Sequence, residues 1–122
     1  MDFNKILLNK IQRGDTNMLS KETRIDSFKS NIRNAINSLQ NNDFSKAKEY
    51  ILSAIMENFN AAEPHNLFGI YYELQGNLGL ARKHYRASIC LNQTLECANR
   101  NLERVCMLKY VCSQEYIDYG EL

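Results

Sequence analysis

The chain is predicted to be all-α, a small solenoid of stacked helical hairpins with about six helices. Three observations predict it. Asp43-Phe44-Ser45-Lys46-Ala47-Lys48 is echoed 34 residues later by Asn77-Leu78-Gly79-Leu80-Ala81-Arg82, and Ile51, Ala54 and Ile55 return as Tyr85, Ser88 and Ile89. A fixed period of this size marks supersecondary units that bury their apolar faces only by stacking on one another. Apolar residues recur at three- and four-residue intervals, the helical period. Finally, the 122 residues hold one proline and no alternating β-branched run.

The elements follow in order. Phe3, Ile6, Leu7 and Ile11 form one face of a short helix over residues 2–13, closed by Gly14-Asp15. From Ser20 a stripe of Ile25, Phe28, Ile32, Ala35, Ile36 and Leu39 runs down a longer helix to about Gln40. Asn41-Asn42-Asp43 breaks it, and the Asp43 carboxylate suits the N-cap of a helix over 44–58 that buries Phe44, Ala47, Ile51, Ala54 and Ile55. Asn60-Ala61-Ala62-Glu63 fits a capping box, with Pro64 in the first turn where its missing donor costs nothing. That helix runs to about Gln75, and Gly76 supplies the stop. Asn77 caps a helix over 78–91, and Thr94 begins a last long helix to about Tyr116, with Leu95, Ala98, Leu102, Val105 and Cys112 on its apolar positions. Glycine inside a helix costs about 1 kcal/mol relative to alanine. Gly69 therefore needs a packing reason, and a close crossing of Ala35 or Gly69 against Ala47 or Ala81 provides one.

These residues resemble the tetratricopeptide repeat, a 34-residue helix-turn-helix unit. In the copy over 62–95, Phe68-Gly69, Tyr72, Gly76, Ala81, Tyr85 and Ile89 match the family's large-Gly, aromatic, Gly, Ala, aromatic and aliphatic positions. His65, Ser88 and Gln93 depart from its usual aromatic, Ala and Pro. The copy over 28–61 keeps Asp43, Phe44, Ala47, Ala54 and Ile55 but is degenerate in its first helix. A strict offset would put Asn31, Asn34 and Ser38 in the core, which would cost several kcal/mol if they were unpaired. Sliding that helix by one residue turns Ile32, Ala35, Ile36 and Leu39 inward instead. The resemblance covers a little over half the chain and implies a right-handed stack: an N-terminal helix and linker over 1–27, the two repeats, and a capping helix and tail over 96–122.

It further implies a concave groove lined by the first helix of each unit, where a peptide or partner helix lies. In the slid register the groove residues are Arg33, Asn37 and Gln40, then Glu63, Asn66, Ile70 and Glu73, then Glu96, Asn99 and Glu103. Asn37, Asn66 and Asn99 suit a peptide main chain, because one amide both donates and accepts. Arg33 and Asn37 resemble half of the family's carboxylate clamp, but Glu63 and Glu103 stand where more positive charge is wanted. The expected function is a protein–protein interaction module, an adaptor or regulatory scaffold for an unidentified protein or peptide. The alternative is a homodimer built on the C-terminal helix, whose residues 105–112 are apolar on nearly all sides; its face would be Met107, Tyr110, Val111, Tyr116 and Ile117.

Other classes find little support. A net charge of +1 disfavours nucleic acid as the main partner, and in Arg82-Lys83-His84-Tyr85-Arg86 the tyrosine is needed inside the repeat, leaving three cations on an outer face. No run reaches the ~18 apolar residues of a membrane helix. The stretch Ile6–Leu8 is too short for a signal peptide, so the expected address is cytoplasmic. Cys90, Cys97, Cys106 and Cys112 have no zinc-ligand spacing; three of the four are expected on apolar helical faces as small hydrophobes. No phosphate-binding loop, nucleophile elbow or HExxH is present, so neither catalysis nor a cofactor is expected.

Overall fold

Asp43 and Asn77, 34 residues apart, do the same work in the computed structural model: each side chain accepts a hydrogen bond from the N–H three residues on, Lys46 and Leu80, at 3.2 Å. The identity of geometry extends along both units. Asn42 and Gly76 stop the preceding helices with φ of 57° and 82°, a left-handed conformation that ends a helix and that Asn and Gly adopt most readily. Asn58 and Asn92 close the following helices in the same extended conformation, φ/ψ −150°/96° and −151°/100°, each donating its N–H back to a carbonyl, Ala54 or Ser88. The side chains of Asn58 and Asn92 then accept from the N–H two residues on, at 3.1 and 3.0 Å. The period read from the sequence is thus a period in backbone geometry.

The structure describes residues 16–120, and the expected helix at 2–13 lies outside them. Among the described residues there are five α-helices and no strand: α1 Thr16–Gln40, α2 Phe44–Glu57, α3 Glu63–Leu74, α4 Leu78–Leu91 and α5 Glu96–Val105, followed by a 3₁₀ turn at Gln114–Tyr116. Two local expectations are corrected. The cap of α3 is Ala62 and not an Asn60 capping box; Asn60 is held instead by Asn58, and the Ala62 carbonyl is satisfied by the Ser88 hydroxyl at 2.8 Å. The last helix begins at Glu96 and ends at Val105, eleven residues short of Tyr116.

Packing pairs α1 with α2 and α3 with α4, sets α2 against α3 and α4 against α5, and brings α1 alongside α3. Ile32, Ala35, Leu39, Ala47, Ile51, Ala54, Ala81 and Tyr85 share one core. The slid register of α1 is the one observed. Ile32, Ala35 and Leu39 are buried, while Asn31 reaches the Glu57 carboxylate at 2.7 Å and Ser38, also buried, returns its hydroxyl to the Asn34 carbonyl at 2.8 Å. Neither polar group is left unpaired, which removes the desolvation penalty that the strict register would have carried.

Gly69 has its packing reason. A Cβ there would run into the ring of Tyr85, whose Cζ would lie 2.8 Å away. That ring is fully buried and its hydroxyl is tied to Glu73 at 2.7 Å, so it has nowhere to go. Gly69→Ala gains helix propensity of about 1 kcal/mol but forces an overpacked crossing that costs about 1–3 kcal/mol or more. The expected result is a net loss of stability in urea denaturation. A Gly79→Ala control, whose added Cβ meets only the Asn77 side chain at 3.9 Å, lacks that loss.

Candidate functional site

The largest departure from the sequence pattern builds the site. After Val105 the chain leaves the helix, and residues 110–120 return across α3 and α5. The Tyr110 hydroxyl donates to Glu73 Oε2 at 2.6 Å, and Gln114 Nε2 donates to the Leu39 carbonyl, at the end of α1, at 2.9 Å. Ile117 joins the hydrophobic core with 8% of its surface exposed. Tyr119 donates its hydroxyl to Gln114, closing the segment on itself.

Beyond Ile117 the tail is held by its main chain. Asn101 on α5 is fully buried, and its Oδ1 accepts the Asp118 N–H at 2.9 Å while its Nδ2 donates to the Asp118 carbonyl at 2.8 Å. Asn66 on α3 donates to the same carbonyl at 3.2 Å and accepts a second bond from Asn101 Nδ2 at 2.9 Å. Two amides on adjoining helices therefore hold the main chain of one residue, Asn101 through both its donor and its acceptor and Asn66 through its donor. The Asp118 side chain adds an exposed ion pair with Arg100 at 2.9 Å and accepts from the Gly120 N–H at 3.0 Å.

Beside this grip lies a buried ion pair. Glu73 on α3 faces inward, fully desolvated, and accepts from Arg104 on α5 through two nitrogens, from Tyr85 on α4 and from Tyr110 in the tail. Burial alone would raise its pKa, but the hydrogen bonds from Arg104, Tyr110 and Tyr85 and the Arg104 charge outweigh it and hold the carboxyl below its ordinary value. Burial and the neighbouring carboxylate push the Tyr85 and Tyr110 hydroxyls far up, so both remain donors.

The residues expected in an open groove divide. Arg33, Asn37, Gln40, Glu96 and Glu103 are exposed, and Glu63 and Asn99 are half-buried. Asn66, Ile70 and Glu73 are buried, which corrects the expectation of an open floor: α5 and the chain's own tail cover that face. Asn99 takes no part in the grip. Asn101 does, and its signal was a polar residue on the apolar stripe formed with Cys97, Ala98 and Val105.

The expected dimer face also divides. Ile117 belongs to the core of its own chain and Tyr110 is half-buried on Glu73, so neither is free. Met107, Val111 and Tyr116 are exposed and line, with Tyr110 and Glu103, an open groove of about 470 Å³.

The remaining candidates are placed plainly. His65 and His84 are half-buried and stacked, ring centroids 5.7 Å apart, with Tyr72 on His84 at 5.4 Å. Burial lowers both histidine pKa values. Of the cysteines only Cys97 is buried, correcting the expectation of three, and burial with the Asp118 charge pushes its thiol up to about 11. Among the described residues no three His, Cys, Asp or Glu are gathered as a metal requires, and no helix is long and apolar enough to cross a membrane. Comparison with known protein families, with curated proteins and with solved structures finds no match.

Two measurements probe this arrangement. His65 and His84 titrate below their ordinary 6.5 when folded, so the unfolded chain binds more protons as pH falls through about 6.5, and stability drops. Glu73, depressed below 4.5, adds a second loss as pH falls below that value toward its folded pKa. Urea midpoints should therefore decline from pH 7.5 to 5 and again below about pH 4.5, with His84→Phe flattening only the first step. In native protein, Ellman's reagent should consume Cys90, Cys106 and Cys112 quickly and reach Cys97 only after denaturant is added.

Proposed function

We propose that this chain is a tetratricopeptide-like interaction module, an adaptor or regulatory scaffold that works in the cytoplasm without catalysis or cofactor. The observation that carries the reading is the grip on Asp118. Asn66 and Asn101, from the first helices of adjoining units, hold an extended segment by its main chain and bury an aliphatic side chain beside it. A surface that binds the backbone of its own tail in this way has the chemistry to bind extended chain in general.

The 34-residue recurrence of caps and stops supports the repeat reading. So does the adjacency of the first helices: α1 lies against α3, and α3 is joined to α5 through Asn66–Asn101 and Glu73–Arg104. Arg33, Asn37 and Glu103 remain exposed for a protein partner of mixed polar and basic character. The apolar groove lined by Met107, Val111 and Tyr116 favours a second reading, self-association, because exposed apolar side chains gathered at one place mark an interaction site.

A photo-crosslinking amino acid placed at Asn37 or Glu103 tests the module. Both positions are expected to capture the same protein in the native cell extract, while the same group at Lys83 on the opposite run of cations captures none. Equal capture from Lys83, or none from either inner position, would remove the reading.

A further inference from the structure

We propose that two copies of this chain exchange their C-terminal segments, so that Ile117 and Asp118 of one copy fill the Asn66–Asn101 site of the other. The inference rests on the reading that this face grips extended chain.

Apart from Tyr110 and Cys112 on Glu73, the contacts that hold the tail are made by residues on either side of a single linker, 106–113. Before it stand Leu39, Asn66 and Asn101; after it stand Gln114, Ile117 and Asp118. A tail from a second copy makes the same bonds beyond the linker to the same groups, so exchange leaves the energy of that part nearly unchanged and gives up only the linker's own bonds to Glu73. The balance is then decided by the linker.

In the folded-back chain the apolar side chains of that linker other than Tyr110 are left in water. Met107 is 62% exposed, Val111 66%, Tyr116 just beyond it 61%, and Leu108 is fully exposed. Nothing local fixes the stop that precedes it. Where α1 and α3 end, Asn42 and Gly76 take positive φ, but α5 ends at Cys106 with an ordinary right-handed φ/ψ of −93°/−2°. The sequence from Val105 to Cys112 reads as more helix. Allowed to continue, α5 carries the tail away from its own body, and two such extensions side by side cover the apolar residues that the folded-back form leaves in water. A second copy is the one partner that carries both the fitting tail and a matching apolar linker.

The test uses the full chain. Replacing the exposed Cys90, Cys106 and Cys112 with Ser leaves Cys97, and a Cβ at Gly120 would lie 3.4 Å from its sulfur, close enough for a disulfide. After Gly120→Cys and mild oxidation, the linked species is expected to run as a dimer on a non-reducing gel, in a share that rises with protein concentration. Mixing heavy-isotope and ordinary chains before oxidation should give linked peptides of one heavy and one light half. A linked monomer at every concentration would overturn the exchange.

Gly120 has φ of +85°, which a side chain strains, so a second measurement avoids it. The unmodified chain is expected to approach twice its 14.2 kDa mass in sedimentation equilibrium as concentration rises. Leu108→Glu, harmless to the folded-back monomer, should weaken that association by at least about tenfold, or 1.4 kcal/mol. A mass that stays monomeric, or a Leu108→Glu chain that associates as well as the original, sinks the proposal. Partner capture from Asn37 and Glu103 by a strictly monomeric chain would remove the exchange and leave the interaction module standing.

Discussion

Glu73 organises the molecule. One buried carboxylate on α3 accepts hydrogen bonds from Arg104 on α5, Tyr85 on α4 and Tyr110 in the returning tail, so three helices and the C-terminal segment meet at two oxygens. A lone carboxylate in that position would carry a desolvation cost of several kcal/mol; fully hydrogen-bonded and paired, it is tolerated, and taking away a single partner of such a pair costs about 3–5 kcal/mol. Its geometric effect is larger than its net energy. The carboxylate orients the Tyr85 ring, that ring dictates glycine at position 69, and the close approach at Gly69 fixes how α3 crosses α4. Arg104 in turn donates to Asn101, presenting the amide that holds the tail.

The two polar devices are therefore one network with two tasks. The charged half, Glu73 with Arg104 and the tyrosines, holds the second hairpin against α5. The neutral half, Asn66 with Asn101, is left with donors and an acceptor that the main-chain N–H and carbonyl of Asp118 complete. Buried amides with unfilled capacity are costly, so a chain segment seated there is required for the stability of the face as well as for any recognition it performs. Residues read as the floor of an open groove are instead under cover, and the tail that covers them is linked to α5 by a stretch whose apolar side chains face water. The proposed recognition and the proposed self-association both turn on this one place in the fold.

Much of the architecture was legible because its causes are local. Asp43 and Asn77 announce helix starts a few residues away, Asn42 and Gly76 announce stops, and the repeat is visible because both sets recur at one spacing. The slide of α1 could also be read, since placing Asn31 and Ser38 inward without partners would violate a simple rule about buried polar groups. What misled was the apolar run after Val105, which has helical composition and no stop. Its pattern predicts helix to Tyr116, because no nearby residue forbids that.

The sequence by itself determined the all-α class, the hairpins and their register, for these follow from propensity, capping and periodicity acting within a few residues. Only the tertiary structure decided the end of α5, the burial of Glu73, the choice of Asn101 over Asn99 and the path of the tail. Each depends on partners far along the chain, Gln114 on Leu39 and Tyr110 on Glu73 among them, whose meeting no local pattern encodes. Hydrogen bonds completed in a buried place outweigh the modest preference of the eleven residues from Cys106 to Tyr116 to stay helical.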